Sequence, residues 1–459
     1  MMVDMAAITI VGAGSARFSL DFIRDLCATP SLWGGSLTFM DIDRERLDLV
    51  ERLARRYCRE TGADYRIAAT TDRRRALEGA QYVVCAVKVG GFQPLEAERA
   101  IAEEHGYYRG IGDRVSDYYG GIGAYHQLAF FLEMARDMES LCPQAWLIDT
   151  ANPVFEGTTL LLRETRIRSV GICHGHLGYL RLVARLGLEP ERLQAQVAGF
   201  NHCVWLTDFR YEGRDAYPLI DEWIQMRAEA WWASQEYLGC GEPWLIEDVS
   251  PGAVDAYRLY GRYPVGDAVR SATPWWHHTD LETKRRWYGP DGGFDSEISW
   301  PKYLQGSEAL VQRLRRYATD ESLSLREEIP AERGQEQHIP LIECLAADRP
   351  AQLELNIANR GAIPGIPDDV AVEIPALASG RGLQGLRLEA LPPRLLNHVL
   401  LPRLVRMEAV LQAFRDHDRR SLVLLVAEDP RTRSFRQASA LVDALLAQPW
   451  NREADRHYR

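Results

Sequence analysis

The chain opens on a pattern that few folds accept. In AITIVGAGSARF a β-branched run from Ala7 to Gly12 meets a glycine turn and passes at once into Ala16–Ala28, where Phe18, Phe22 and Leu26 recur at helical spacing. Leu37–Met40 then reads as a second strand ending in Asp41, Arg44–Glu60 as a second helix, and Tyr82–Val87 (YVVCAV) as a third, fully buried strand. A polar, glycine-rich stretch, YYRGIGDRVSDYYGGIG, precedes a helix from about Ala124 to Ser140. The strand Ala145–Asp149 follows, closed by TANPV, and one more αβ unit ends in the strand Val170–Cys173. Parallel neighbours need a crossover, and crossover helices cover both faces of the sheet they join. The first part of the chain is therefore expected to be a parallel α/β sheet.

Beyond about residue 195 the alternation fails. Val197–Tyr211 reads as strand, Ala216–Leu238 as a tryptophan-rich helix and Pro393–Asp416 as one or two helices, while Trp275–Gly293 reads as a functional loop more than core. A chain of 459 residues exceeds what one core usually supports. Two domains are expected, 1–195 with the parallel sheet and 196–459 of α+β type. Charged residues make up 26%, with a formal charge of −11, which disfavours nucleic acid or an anionic membrane as partner but leaves room for a small anion in a local arginine pocket. The start of the chain has no basic leader pattern and no apolar run reaches membrane length, so a cytoplasmic protein is expected. Eight scattered cysteines fit reduced core thiols.

Two constellations carry chemistry. Gly12 and Gly14, followed by Ser15, lie at a strand-to-helix junction where bare backbone can approach a pyrophosphate and a helix N-terminus can receive its charge. Arg17 stands where the usual third glycine would be. Asp41, at the tip of the second strand, can accept hydrogen bonds from an adenosine ribose, which favours NAD over its 2′-phosphorylated form; together these define a Rossmann-type domain. Cys173, in VGICHGHLGYL, ends a strand, and His202, in AGFNHCVWL, begins the second domain, so both can converge at the carboxyl edge of the sheet. Thiolate and imidazole suit a borderline-soft divalent ion: manganese, iron, cobalt, nickel or zinc. A core thiol and a structural histidine are the alternative. Two ligands leave positions for water or substrate, as a catalytic metal requires.

The ordered motifs ITIVGAGSARF, MDID, DTANPV, CHGH, GFNH and GD resemble those of glycoside hydrolase family 4, the NAD- and Mn²⁺-dependent glycosidases, over essentially the whole chain. The resemblance implies a lactate/malate dehydrogenase-like architecture and a mechanism outside paired-carboxylate hydrolysis: oxidation at C3 of the sugar by NAD⁺, elimination across C1–C2, addition of water and re-reduction. It implies Cys173 and His202 as ligands of Mn²⁺ or another divalent transition metal, Asn152 and Asn201 as contacts to sugar hydroxyls, and His174 as acid to the leaving group. For the base it leaves Asp267 and Tyr263 in RYPVGDAVR, with Asp267 favoured by the Gly-Asp-x-x-Arg spacing and Arg270 binding substrate. Cys-His-Gly-His resembles the branch acting on α-D-galacturonides, with His176 helping to select the sugar; an α-glucuronide or neutral α-glycoside is the alternative. Lys284, Arg285 and Arg286, in PWWHHTDLETKRRWYG, are further candidates for a C6 carboxylate, or else a solvated basic helix end. A homodimer or homotetramer is expected, with no nucleic-acid or membrane partner. A plain NAD-dependent 2-hydroxyacid dehydrogenase would share the first domain but has no use for Cys173 with His202, and a noncatalytic NAD sensor would need no metal pair.

Overall fold

The computed structural model describes residues 5–108, 122–272 and 274–459, and only the backbone of Arg17, Ile122 and Gly123. Most of the glycine-rich stretch ahead of residue 124 thus lies outside the described residues. Six parallel strands form the first half of one sheet: β1 Ala7–Val11, β2 Ser36–Met40, β3 Arg66–Thr70, β4 Tyr82–Cys85, β5 Trp146–Asp149 and β6 Arg168–Gly171. Their order is β3-β2-β1-β4-β5-β6, the doubly wound arrangement with its switch point beside β1. Helices α1 (Ala16–Cys27) and α2 (Arg44–Thr61) alternate with the strands as the spacing predicts. Phe22 and Leu26 of α1 are fully buried.

The sheet continues past β6 with antiparallel strands from much later in the chain. These are β7 Leu193–Phe200, β8 Cys203–Tyr211, β9 Arg214–Asp215, β10 Tyr263–Val265, β11 Ala351–Ala358, β12 Ala371–Ser379 and β13 Gly382–Gly385. The order runs β6-β11-β12-β7-β8-β10, with β13 on β12 and β9 on β8. The single strand expected over Val197–Tyr211 is a hairpin, because Asn201 and His202 turn the chain between β7 and β8. The helix expected over Ala216–Leu238 breaks into Tyr217–Met226, Ala228–Trp232 and Gln235–Leu238.

Two clusters of buried side chains hold the molecule. The larger joins the parallel strands and their helices to β11, β12 and the helices after residue 314. The smaller gathers residues between Leu182 and Tyr288, among them Trp223, Tyr263 and Tyr288. Part of the segment Trp275–Gly293, read above as loop, belongs to this interior: it forms the helix Leu281–Tyr288, and His277, His278, Lys284 and Tyr288 are buried. Tyr288 contributes apolar area there, and its hydroxyl meets His278 Nε2 at 2.8 Å. No helix among the described residues is long and apolar enough to cross a membrane.

Candidate active site

At the carboxyl end of β1 the backbone is bare by necessity. Gly12 has φ +87°, and a Cβ there would lie 2.8 Å from the Ala86 carbonyl carbon; a Cβ on Gly14 would lie 2.8 Å from Asp41 Oδ2. The Gly14 N–H donates to that Oδ2 (2.7 Å) and the Asp43 N–H to Asp41 Oδ1 (2.9 Å), so the carboxylate is fixed at the tip of β2. Ser15 precedes α1 and makes no side-chain cap, and no acidic residue stands in the first turn. This end of α1 thus keeps free donors and positive potential. Two glycines pressed against neighbours, a helix N-terminus and a half-buried carboxylate fit a dinucleotide.

The second half of the site is assembled by strand register. Gly171 of β6 lies opposite Asn356 of β11, Asn356 opposite Glu373 of β12, and Glu373 opposite Gly199 of β7. Cys173 follows Gly171 by two residues and His202 follows Gly199 by three, so this row carries both to one edge of the sheet. The hairpin turn holds His202 at φ +59°, a left-handed conformation uncommon for a side-chain-bearing residue and one that recurs at functional sites. Its carbonyl accepts a hydrogen bond from Ser271 Oγ.

Asp267 stands where these groups meet. Its Oδ2 is 3.4 Å from His202 Nε2. A point beside Gly175, where a Cβ would sit, is 3.5 Å from Cys173 Sγ and 3.9 Å from Asp267 Oδ2, so thiol and carboxylate border one small space. Burial would raise the Asp267 pKa, but the His202 imidazole and the Arg270 guanidinium outweigh it and hold the carboxyl below its usual range. Burial, with Glu373 and Asp267 adding to it, pushes the Cys173 thiol well above its usual value. A cation there would offset this negative potential and favour thiolate. Among the described residues no three His, Cys, Asp or Glu side chains make a closed metal cage; a thiol and an imidazole with open positions beside them fit a catalytic ion.

The other expected residues fall in different surroundings. His174 is 64% exposed, with Nδ1 3.4 Å from Glu336 Oε1. Asn152 lies half-buried in the turn after β5. Asn201 is buried and its Nδ2 donates to Glu373 Oε2 (3.0 Å), which also accepts from Asn356 Nδ2 (3.0 Å). His176 is buried: its Nδ1 lies 2.8 Å from the Cys173 carbonyl oxygen and its Nε2 3.3 Å from Gln337 Nε2, and burial lowers its pKa to about 4. It faces the fold. Tyr263 is also buried, its hydroxyl donating to the Asp248 carbonyl (2.7 Å) inside the smaller core.

Arg270 is surrounded by carboxylates. It donates through Nε to Glu247 Oε2 (2.8 Å) and through Nη2 to Asp267 Oδ1, and its Nη1 is 4.0 Å from Asp295 Oδ2. Lys284 is fully buried on Asp295 (3.1 Å). Of the other two cations in that run, Arg285 donates to the Pro290 carbonyl (2.6 Å) and Arg286 lies over the Trp287 ring.

Sequence reasoning missed Glu336, Glu373 and Glu247, each of which holds a side chain it did single out, and Asn356, which donates to Glu373. For Glu373 a signal existed: a lone glutamate inside the apolar run Ala371–Ala378 is a buried charge in need of partners.

The family described as "Family 4 glycosyl hydrolase" matches residues 7–189, and "Family 4 glycosyl hydrolase C-terminal domain" matches residues 197–432. An α-glucosidase of Erwinia rhapontici is 26% identical over 96% of this chain and 98% of its own. An α-galacturonidase of Thermoanaerobacterium saccharolyticum is 25% identical over 96% of this chain and 94% of its own. Among solved structures, the 6-phospho-β-glucosidase of Thermotoga maritima with manganese, NAD⁺ and glucose-6-phosphate aligns with TM-score 0.75 at 16% identity, covering 99% of each chain.

Proposed function

The chain belongs to family 4 of the glycosyl hydrolases, and on that premise we propose that it hydrolyses α-D-galacturonides with bound NAD⁺ and a divalent transition metal, Mn²⁺ first among candidates. The observation that carries the reading is the convergence of Cys173, His202 and Asp267 at the sheet edge that also carries the dinucleotide cradle. Gly12, Gly14, Ser15 and Asp41 would hold the dinucleotide, and Cys173 with His202 the metal. When bound, the two groups supply reversible oxidation at C3 of the sugar and polarisation of its C2 and C3 oxygens.

The chain's own residues do the rest. Asp267, kept ionised at neutral pH by His202 and Arg270, takes the proton from C2. His174, open to solvent and backed by Glu336, gives a proton to the departing glycosidic oxygen. Asn152 and Asn201 hold ring hydroxyls, and the Glu373 carboxylate fixes the Asn201 amide. Arg270 keeps Asp267 in place and contributes positive potential toward the substrate. The galacturonide assignment draws on the Cys-His-Gly-His run and on full-length resemblance to α-galacturonidases.

A neutral α-glycoside is the second reading. Arg270 and Lys284 already meet carboxylates of the protein, which leaves less positive charge for a C6 carboxylate. Comparing kcat/KM on 4-nitrophenyl α-D-galacturonide, α-D-glucuronide and α-D-galactoside, with NAD⁺ and Mn²⁺ present, decides between them. The galacturonide should lead the galactoside by about 30- to 1,000-fold, the worth of one lost charge-assisted contact. Equal or faster turnover of the galactoside would replace the first reading by the second.

A further inference from the structure

The candidate site uses one end of the parallel strands; at the other end β4, β5 and β6 begin, with Tyr82, Trp146 and Arg168. A groove of about 1210 Å³ runs across these strand starts and is walled on its far side by the β12–β13 turn and the loop after β11. The turn stands over the indole, since a Cβ on Gly382 would lie 3.9 Å from Trp146 Cζ2.

Among the described residues five arginines line the groove, Arg166, Arg168, Arg360, Arg381 and Arg387, and no aspartate or glutamate does. All five are exposed. None makes an ion pair with a carboxylate among the described residues: Arg168 donates to Gln144 Oε1 (3.1 Å) and lies 5.9 Å over the Trp146 ring. The carboxylates of Glu139 and Asp348, which flank the groove, accept from the backbone N–H groups of Arg166 and Gly380. On a chain with net charge −11, other exposed arginines commonly have acidic partners, as Arg55 has Glu51 and Arg315 has Glu45.

Like charges gathered in a concave surface focus a positive potential. Guanidinium forks answer phosphate and carboxylate bidentately, and a groove this large exceeds what a single inorganic anion fills. We propose that this groove is a binding site, separate from the glycosidase centre, for a polyanion carrying several phosphate or carboxylate groups. Polyphosphates and oligouronates present the same repeated anions, and binding of one and not the other identifies the source.

The test is calorimetric titration of the full chain, saturated with NAD⁺ to fill the dinucleotide cradle and kept free of metal, with inorganic tripolyphosphate and separately with trigalacturonate. One probe should bind at one site per chain, about tenfold or more weaker in Arg168→Ala/Arg381→Ala, and weaker again as salt rises from about 50 to about 200 mM. Unchanged NAD⁺ affinity of the variant establishes that it is folded. The proposal falls if neither probe binds, or if the variant binds both as the wild type does. It also falls if sedimentation finds a wild-type oligomer that the double substitution dissociates, since the arginines would then belong to a contact between copies of the chain.

Discussion

Asp267 and Tyr263 stand four residues apart, and their surroundings divide the roles the sequence leaves open between them. The carboxylate borders the space beside Cys173 and is held ionised by a histidine and an arginine, whereas the phenol donates to a main-chain carbonyl inside a core. Asp267→Asn should therefore lower kcat by about 10²- to 10⁴-fold, the usual worth of a general base, and stop incorporation of deuterium at C2 of the sugar released in D₂O. Tyr263→Phe should keep both, losing about 1–3 kcal/mol of stability because the Asp248 carbonyl goes unpaired. The opposite outcome would make Tyr263 the base. Asp41→Ala removes the acceptor that fixes the Gly14 amide as well as the group offered to the ribose, so NAD⁺ affinity by calorimetry should fall roughly 10- to 150-fold. At this scale Cys173 and His202 were legible because their residue types sit in unusual local company, and Asp267 only through the family resemblance, which left Tyr263 beside it. Glu336 and Glu247 were not, because each acts on a residue distant in sequence and its own neighbours announce nothing; Glu373 announces a buried charge by its apolar neighbours but not the Asn201 amide it holds.

The parallel half was legible element by element, since each strand and helix there carries its own period and its own punctuation. The antiparallel half was not. The run from Val197 to Tyr211 keeps its β-branched and aromatic content straight through Asn201–His202, so nothing in composition marks the turn that bends it into β7 and β8. β11 and β12 come more than a hundred and fifty residues after the strands they join, and their pairing is a fact of register. That register rests on close approach: a Cβ on Gly171 would lie 2.5 Å from Val154 Cγ1 and 2.6 Å from Thr158 Oγ1, and 2.9 Å from Asn356 Cβ. Gly171→Ala must push β6 away from β11 or from the Val154–Glu164 helix. Urea unfolding should register a loss of about 1–3 kcal/mol, as for other overpacked cores. Activity should fall further than stability explains, because Cys173 moves with the strand; an alanine variant of wild-type activity and stability would mean that the row does not fix the site.

Across the whole molecule, residues late in the chain close the fold over its beginning, and His338 sits at one such closure. It is fully buried, its ring 4.9 Å from Phe22 of α1, and Glu336 Oε2 lies 3.4 Å from its Nδ1. Burial lowers its pKa to about 4, against the pull of Glu336, from an ordinary value of 6.5. Between those two values the unfolded chain binds a proton that the folded chain refuses, so the contribution of His338 is complete above about pH 6.5 and is lost as pH falls toward 4. The full shift is worth on the order of 3 kcal/mol. Burial acts in the opposite sense on Glu247 and Glu373, both raised to about 7: the folded chain holds their protons where the unfolded chain has released them, and stability declines as pH rises through that window. Wild-type stability alone therefore mixes the two. The difference between wild type and His338→Phe isolates one, since phenylalanine suits the packing against Phe18 and Phe22 and does not titrate. Measured by urea unfolding, the wild type should lose on the order of 3 kcal/mol relative to the variant between pH 7 and pH 4; parallel pH profiles would mean that His338 takes up its proton without disturbing the closure.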